Sequence, residues 1–310
     1  MTSLIAFTSP DRDILAEFLA DKRSPTTRRA YQKDLRDFFQ AIAETDPSPT
    51  IVLAFLAMSR YQAIALVLNY KSQLIEKGLA EATVNRRLAA VKALVDYARK
   101  VGKCEWSLSD IKREKSNGYR DTTGISPEAF KAMLAVPDRE KPKGFRDYAI
   151  LRLLWDNALR RSEVSKANVK DLDLEAGILW ILGKGRGSQK EAIALAPPTV
   201  EALREWLAAR SDGHLPLFIT LDNATYGHRL SDSAVYVIVR AIGRAAGITK
   251  IISPHRIRHS SITAALDATG GDVRSVQKLS RHSKLDTLMI YDDNRRNVQG
   301  KMSKLIADLV

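Results

Sequence analysis

Cysteine is nearly absent from this sequence: Cys104 stands alone in 310 residues. A lone thiol excludes an internal disulfide framework and any zinc site built from several cysteines. Long apolar runs are missing too, so no segment reads as a membrane-spanning helix. The opening MTSLIAFTSPDRD has only the short apolar patch LIAF and no basic lead-in, so no signal peptide is expected. No acidic cluster suits a magnesium ion, and no glycine-rich phosphate loop appears, so neither a metal nor a nucleotide cofactor is expected. Acidic residues run short as well. The 36 Asp and Glu against 49 Lys and Arg leave a net charge of +13 at neutral pH. Such an excess favours a polyanionic partner, nucleic acid ahead of an anionic membrane. These features lead to the expectation of an intracellular, soluble, basic protein in the cytoplasm with no membrane partner, and they do not yet name a chemistry.

What is present divides into two patterns. Residues 1–102 read as a bundle of four to five helices. Ser24-Pro25 and Ser48-Pro49 are start signals, and Tyr31, Leu35, Phe38, Phe39 and Ile42 follow helical spacing. The last helix, Ala82–Val101, carries Val84, Leu88, Val91, Val95 and Ala98 on one stripe. Arg28, Arg29, Lys33, Arg86, Arg87 and Lys92 fall largely off the apolar stripes, and as a set they suit a surface that tracks phosphates. Residues 103–123 are polar, contain Ser-Asn-Gly and lack helical periodicity, which marks a linker. Lys112 and Arg113 extend the positive charge across it, as a clamp on a duplex would require.

From residue 124 to 310 the expectation is a mostly helical domain with a small antiparallel sheet. Helices are read from Ser126, from about Gly144 to Leu159, and from Pro197-Pro198 to about Arg210. Val169–Leu174, Ile178–Leu182 and Glu191–Leu195 read as short strands, with the turn GKGRGSQK joining the last two.

The stretch Ser253–Tyr291 holds three of the five histidines, four arginines and a tyrosine. Ser253 is an N-cap candidate, Pro254 fits a first helical turn, and His255 and Arg258 share one helix face. A phenol among guanidiniums and imidazoles suggests work on a phosphate. Upstream, Arg160 lies in NALRRSEVSKA with Glu163 three residues on, and Lys184 sits in the glycine-rich turn. Each motif alone is weak. Their order and spacing are not: Leu-Arg-x-Ser-Glu, then Gly-Lys-Gly, then His-x-x-Arg-His behind a proline, then a histidine nine residues before a tyrosine.

This order resembles the catalytic signature of the tyrosine recombinases, the phage-integrase family that includes the bacterial chromosome-dimer resolvases. TVNRRLAAVK is similar to the last core helix of the family's N-terminal DNA-binding domain, and RDTTGISPEAFKAML to the start of its catalytic domain. The resemblance implies Tyr291 as nucleophile, Arg160 and Arg258 as the arginine pair, Lys184 as the hairpin lysine, and His255 and His282 as the two histidine positions. Glu163 falls at the acidic position behind the first arginine, and His259 takes a supporting place. Ala158 and Arg281 stand where the family usually has glycine, and Arg161 where it usually has an aliphatic residue.

The groups make chemical sense together. Two guanidiniums can hold the non-bridging oxygens as phosphorus becomes five-coordinate. His255 can relay the phenol proton, Lys184 can protonate the departing 5′-hydroxyl, and His282 can donate to the phosphate. A 3′-phosphotyrosyl link would conserve the bond energy without ATP or metal. The expected partner is double-stranded DNA with specific recombination sites. Met302, Leu305, Ile306 and Leu309 form a C-terminal apolar stripe that either docks on its own domain or passes to a neighbour. The family implies the second, within a tetramer on DNA. A topoisomerase using the same intermediate and a non-catalytic DNA-binding protein are the alternatives, and a metal-dependent nuclease is the weakest.

Overall fold

Serine followed by proline starts helices where the sequence predicts them. In a computed structural model, which describes residues 13–115, 124–183, 189–210, 212–282, 285, 288 and 298–309, the chain forms two compact units, 1–119 and 120–310. The first contains helices α1 (Ile14–Ala20), α2 (Pro25–Ala43), α3 (Pro49–Leu56), α4 (Arg60–Glu76) and α5 (Glu81–Lys100). Ser24 and Ser48 each accept from the amide three residues on, with proline at the first helical position. Ser59 and Gln62 form a reciprocal capping box on α4. Each such cap is worth roughly 1 kcal/mol. The buried face of the bundle is aromatic: Phe38 meets Phe39, Phe55 and Tyr70 edge to face at 5.1–5.2 Å between ring centres.

The residues after α5 depart from the linker reading. Cys104, Trp106, Leu108 and Ile111 are buried in the core of the first unit. The Trp106 indole donates to the Met58 carbonyl at 2.8 Å and packs edge to face on Phe55. Asn85 exchanges two hydrogen bonds with the backbone of Glu114. The segment is irregular chain whose apolar residues join the core of the first unit without helical spacing, so a search for helical periodicity passes over them.

The second unit begins with α6 (Pro127–Leu134), α7 (Pro142–Asp156) and α8 (Arg161–Lys166). A 3₁₀ turn (Val169–Asp171) leads to β1 (Leu172–Asp173), β2 (Ile178–Ile181) and β3 (Glu191–Ala194), and then come α9 (Pro197–Arg210), α10 (Asp232–Ala245), α11 (Pro254–Ala268), α12 (Val273–Ser280) and α13 (Val298–Ala307). The sheet is antiparallel in the order β1-β2-β3, with Leu179 opposite both Leu172 and Ile193. Two predicted bounds are corrected. The first half of the expected strand at 169–174 is the 3₁₀ turn, because Asn168 and Asp171 bond to each other and leave only Leu172 and Asp173 to pair. Helix α7 starts before Gly144 and stops at Asp156, so Leu159 lies beyond it.

The core of this unit joins Ile150, Leu151 and Leu154 of α7 to Leu203 and Trp206 of α9. A smaller cluster, Ala158, Ile262, Leu266, Val276 and Leu288, sits where the end of α7 meets α11 and α12. Full burial of each large aliphatic there contributes roughly 1.5–3 kcal/mol. This second cluster fixes the three element ends that carry the site. Among the described residues no single helix is long and apolar enough to cross a membrane.

Candidate active site

Four predicted residues converge on the ends of α7, α11 and α12. Ser253 caps α11 by accepting from the Arg256 amide at 3.1 Å, and Pro254 occupies its first turn. The first two turns thus carry His255 and Arg258. Arg160, at the start of α8, joins them around an open cavity of about 340 Å³ whose wall also includes Arg161, Ser162, Asp232, Tyr236, Ser253 and Pro254. His282 follows α12 directly, and its Nε2 lies 3.4 Å from an Arg258 Nη. Lys184 and Tyr291 lie outside the described residues.

Each group has a distinct setting. Arg258 is 2% exposed and donates to the carbonyls of Ala158 and Ser280, which tie it to the ends of α7 and α12. Arg160 is half-buried, and Glu163 holds it by accepting from its guanidinium at 2.7 Å and from its amide at 2.8 Å. Glu163 itself is buried. Burial alone would raise its carboxyl, but the charge of Arg281 and the hydrogen bonds from Arg160 outweigh that and hold it below the ordinary value. The exposed His255 and buried His259 set their Nε2 atoms 2.9 Å apart. That contact needs one proton between the rings, so the two cannot both carry a proton on Nε2. Burial, reinforced by Arg258, Arg160, Arg281 and His255, pushes His282 down to about 4. Its imidazole is therefore neutral at physiological pH and can still donate one hydrogen bond.

Arg281 has a clear place. Its backbone is left-handed (φ 55°, ψ 38°) and its side chain turns inward to the carbonyls of Asn157, Ala158 and Leu279 and to Glu163. Ala158 is also left-handed, at φ 45°. Both positions read as departures from glycine thus keep the backbone conformation that glycine would adopt most easily.

Asp232 and Tyr236 were not anticipated. They come from the first turns of α10, far along the chain, and no local motif marks them. Arg161, flagged only as a departure, lies 4.0 Å from Asp232. Among the described residues no three His, Cys, Asp or Glu side chains are grouped to hold a metal ion.

The basic residues expected on the first unit fall into two sets. Arg28, Arg29, Lys33, Lys112 and Arg113 are exposed. Arg86 pairs with the buried Asp34, Arg87 with Asp37, and Lys92 donates to the Ile111 carbonyl. Tyr70 also donates to Asp37 at 2.6 Å, so the second set ties α2, α4 and α5 together.

Comparison with known proteins gives a consistent family. Residues 124–297 match the family described as Phage integrase family, and residues 15–102 match the Phage integrase, N-terminal SAM-like domain. A tyrosine recombinase of Synechococcus elongatus is 51% identical over 302 residues, covering 97% of this chain and 94% of that protein. A tyrosine recombinase of Synechocystis is 52% identical, covering 97% and 96%. The fold is similar to that of XerH site-specific recombinase bound to palindromic difH substrate (TM-score 0.66, 21% identity, 91% of this chain and 80% of that one). It is also similar to a lambda integrase dimer bound to a core site (TM-score 0.65, 14% identity, 90% and 93%). The chain belongs to the phage integrase family, the tyrosine recombinases, and is a site-specific DNA recombinase.

Proposed function

We propose that the second unit cleaves and rejoins DNA through Tyr291, with Arg160, Arg258, His255, His282 and Lys184 as its catalytic groups. The observation that carries this reading is the convergence of Arg160, His255 and Arg258 on one cavity, with His282 against Arg258. The Tyr291 oxygen attacks the scissile phosphorus and the bond to the 5′-oxygen breaks. The phenol proton passes to His255, and Lys184 supplies a proton to the departing 5′-hydroxyl. Arg160 and Arg258 hold the non-bridging oxygens as charge grows there, and neutral His282 donates to the same phosphate. Religation is the reverse, with a 5′-hydroxyl attacking the phosphotyrosine.

The partner in this reading is double-stranded DNA carrying paired recombination sites, as its recombinase relatives in DNA complexes suggest. The exposed Arg28, Arg29, Lys33, Lys112 and Arg113 are its phosphate contacts from the first unit, 1–102 with the segment that follows. Strand exchange between two duplexes calls for a tetramer. Met302, Leu305 and Ile306 of α13, with Leu309 just beyond its end, are 51–73% exposed, which suits a helix handed to a neighbouring protomer. A cytoplasmic location follows from work on intracellular DNA.

Incubation with nicked suicide DNA carrying candidate sites, followed by a denaturing gel, tests the reading. The native protein should yield a protein–DNA adduct, and Tyr291→Phe should yield none. An adduct of equal yield from Tyr291→Phe would remove Tyr291 from the mechanism.

A further inference from the structure

We propose that Arg281 is a positioning residue for strand cleavage, locking Arg160 and Arg258 into one arrangement before DNA arrives. The inference rests on the assignment of those two arginines to the scissile phosphate. Three observations carry it.

The first is conformational. Arg281 holds φ 55°, and among the described residues only Glu44 and Ala158 are other non-glycine positions with positive φ. Such a backbone is strained for any residue with a Cβ, and it persists where surrounding contacts over-determine it. Glycine would end α12 here without strain. An arginine at this point therefore has to be justified by its side chain.

The second is connectivity. The Arg281 side chain is 6% exposed and so makes no use of its charge at the surface. One guanidinium nitrogen donates to Leu279 at 2.9 Å and Asn157 at 3.1 Å. The other donates to Glu163 at 3.1 Å and Ala158 at 3.3 Å. The Ala158 carbonyl also accepts from Arg258, and Glu163 also accepts from Arg160. Arg160 reaches back to the Arg281 carbonyl at 3.5 Å. Arg281 thus touches the support of both phosphate-binding arginines. It also ties the turn after α7 to the turn after α12, the two segments from which Arg160 and His282 project.

The third is electrostatic. Without Arg281, the buried Glu163 would face Arg160 alone, and that guanidinium would have to serve both carboxylate and phosphate. With Arg281 present, Arg160, Arg258 and Arg281 against Glu163 leave a net charge of about +2. That charge matches the two negative charges on a five-coordinate phosphorus better than a net single charge would. Lysine cannot replace this fork, because one ammonium cannot span three carbonyls and a carboxylate.

The test uses full-length Arg281→Gly and Arg281→Lys, with DNA affinity, melting temperature and single-turnover adduct formation measured for each. Arg281→Gly should fold and bind DNA like the native chain, because glycine suits the backbone and the lost side chain is buried. Its cleavage should fall by on the order of 10²-fold, as expected when reacting groups lose their alignment. Millimolar guanidinium should restore part of that rate by entering the space left behind, a response that a residue needed only for folding would not give. Arg281→Lys should fold, cleave slowly and gain nothing from guanidinium. Native-rate cleavage by Arg281→Gly would overturn the proposal. So would parallel loss of melting temperature, binding and cleavage in both variants with no guanidinium response, which would leave Arg281 a purely structural cap. If the native chain itself forms no adduct dependent on Tyr291, the parent assignment fails instead, so the two failures are distinguishable.

Discussion

Single residues in this site are set by their neighbours more than by their own chemistry. His282 shows this most directly. An imidazole ordinarily titrates near 6.5, yet burial and the surrounding cations bring this one to about 4. Its folded value lies below its unfolded value, so the stability it contributes is complete above 6.5. That contribution is lost as pH falls from 6.5 toward 4, because the unfolded chain takes up the proton first. Titration followed by NMR on the DNA-free protein should show the His282 ring neutral at pH 6 and protonating only near 4. A midpoint near 6.5 would mean that the arginines do not surround it as described. Because a bound phosphate favours the protonated form, DNA should move the midpoint upward. The shared helix face of His255 and Arg258 behind Ser253-Pro254 was legible in the sequence, and both line the cavity. The inward turn of Arg281 and the cavity positions of Asp232 and Tyr236 were not legible, since each depends on contacts between residues far apart in the chain.

Elements show where local pattern suffices and where it fails. Start signals placed α2, α3, α6, α9 and α11 closely, because Ser followed by Pro, or Pro-Pro, meets the steric and hydrogen-bond demands of a first turn without tertiary help. The end of α7 was misjudged because apolar residues resume at Ala158 and Leu159, while the backbone turns left-handed at Ala158 just before Arg160 reaches the cavity. The segment 103–115 was read as linker because its apolar residues lack helical spacing, though they pack in the core of the first unit. That difference can be measured. Trp106→Ala should destabilise the first unit by about 3–5 kcal/mol in denaturant unfolding, the usual loss for a buried tryptophan. A tryptophan in a free linker would change stability by less than about 0.5 kcal/mol. The latter result would separate 103–115 from the fold of the first unit.

At the scale of the whole molecule, charge and the C-terminal helix carry the predictions about DNA binding and assembly. The net charge of +13 predicts DNA affinity that falls steeply with salt. The exposed stripe of α13 predicts that deleting residues 299–310 spares binding to a single site but impairs assembly and strand exchange. Gel-shift and sedimentation on paired sites read both quantities, and unchanged recombination by the shortened chain would count against a helix passed between protomers. The division into a helical bundle and a mixed catalytic unit was visible in the sequence, because periodicity and composition change along the chain. The convergence of Arg160 with His255 and Arg258, nearly 100 positions further along the chain, could be expected only from the family signature.

The central claim is that Tyr291 carries the DNA during exchange. It is tested most directly by trapping the adduct on suicide DNA, digesting both components, and locating the linked nucleotide by mass spectrometry. The account predicts a 3′-phosphate on the peptide containing Tyr291 and a free 5′-hydroxyl on the released strand. A phosphate on any other residue, or a 5′-phosphate end, would contradict it.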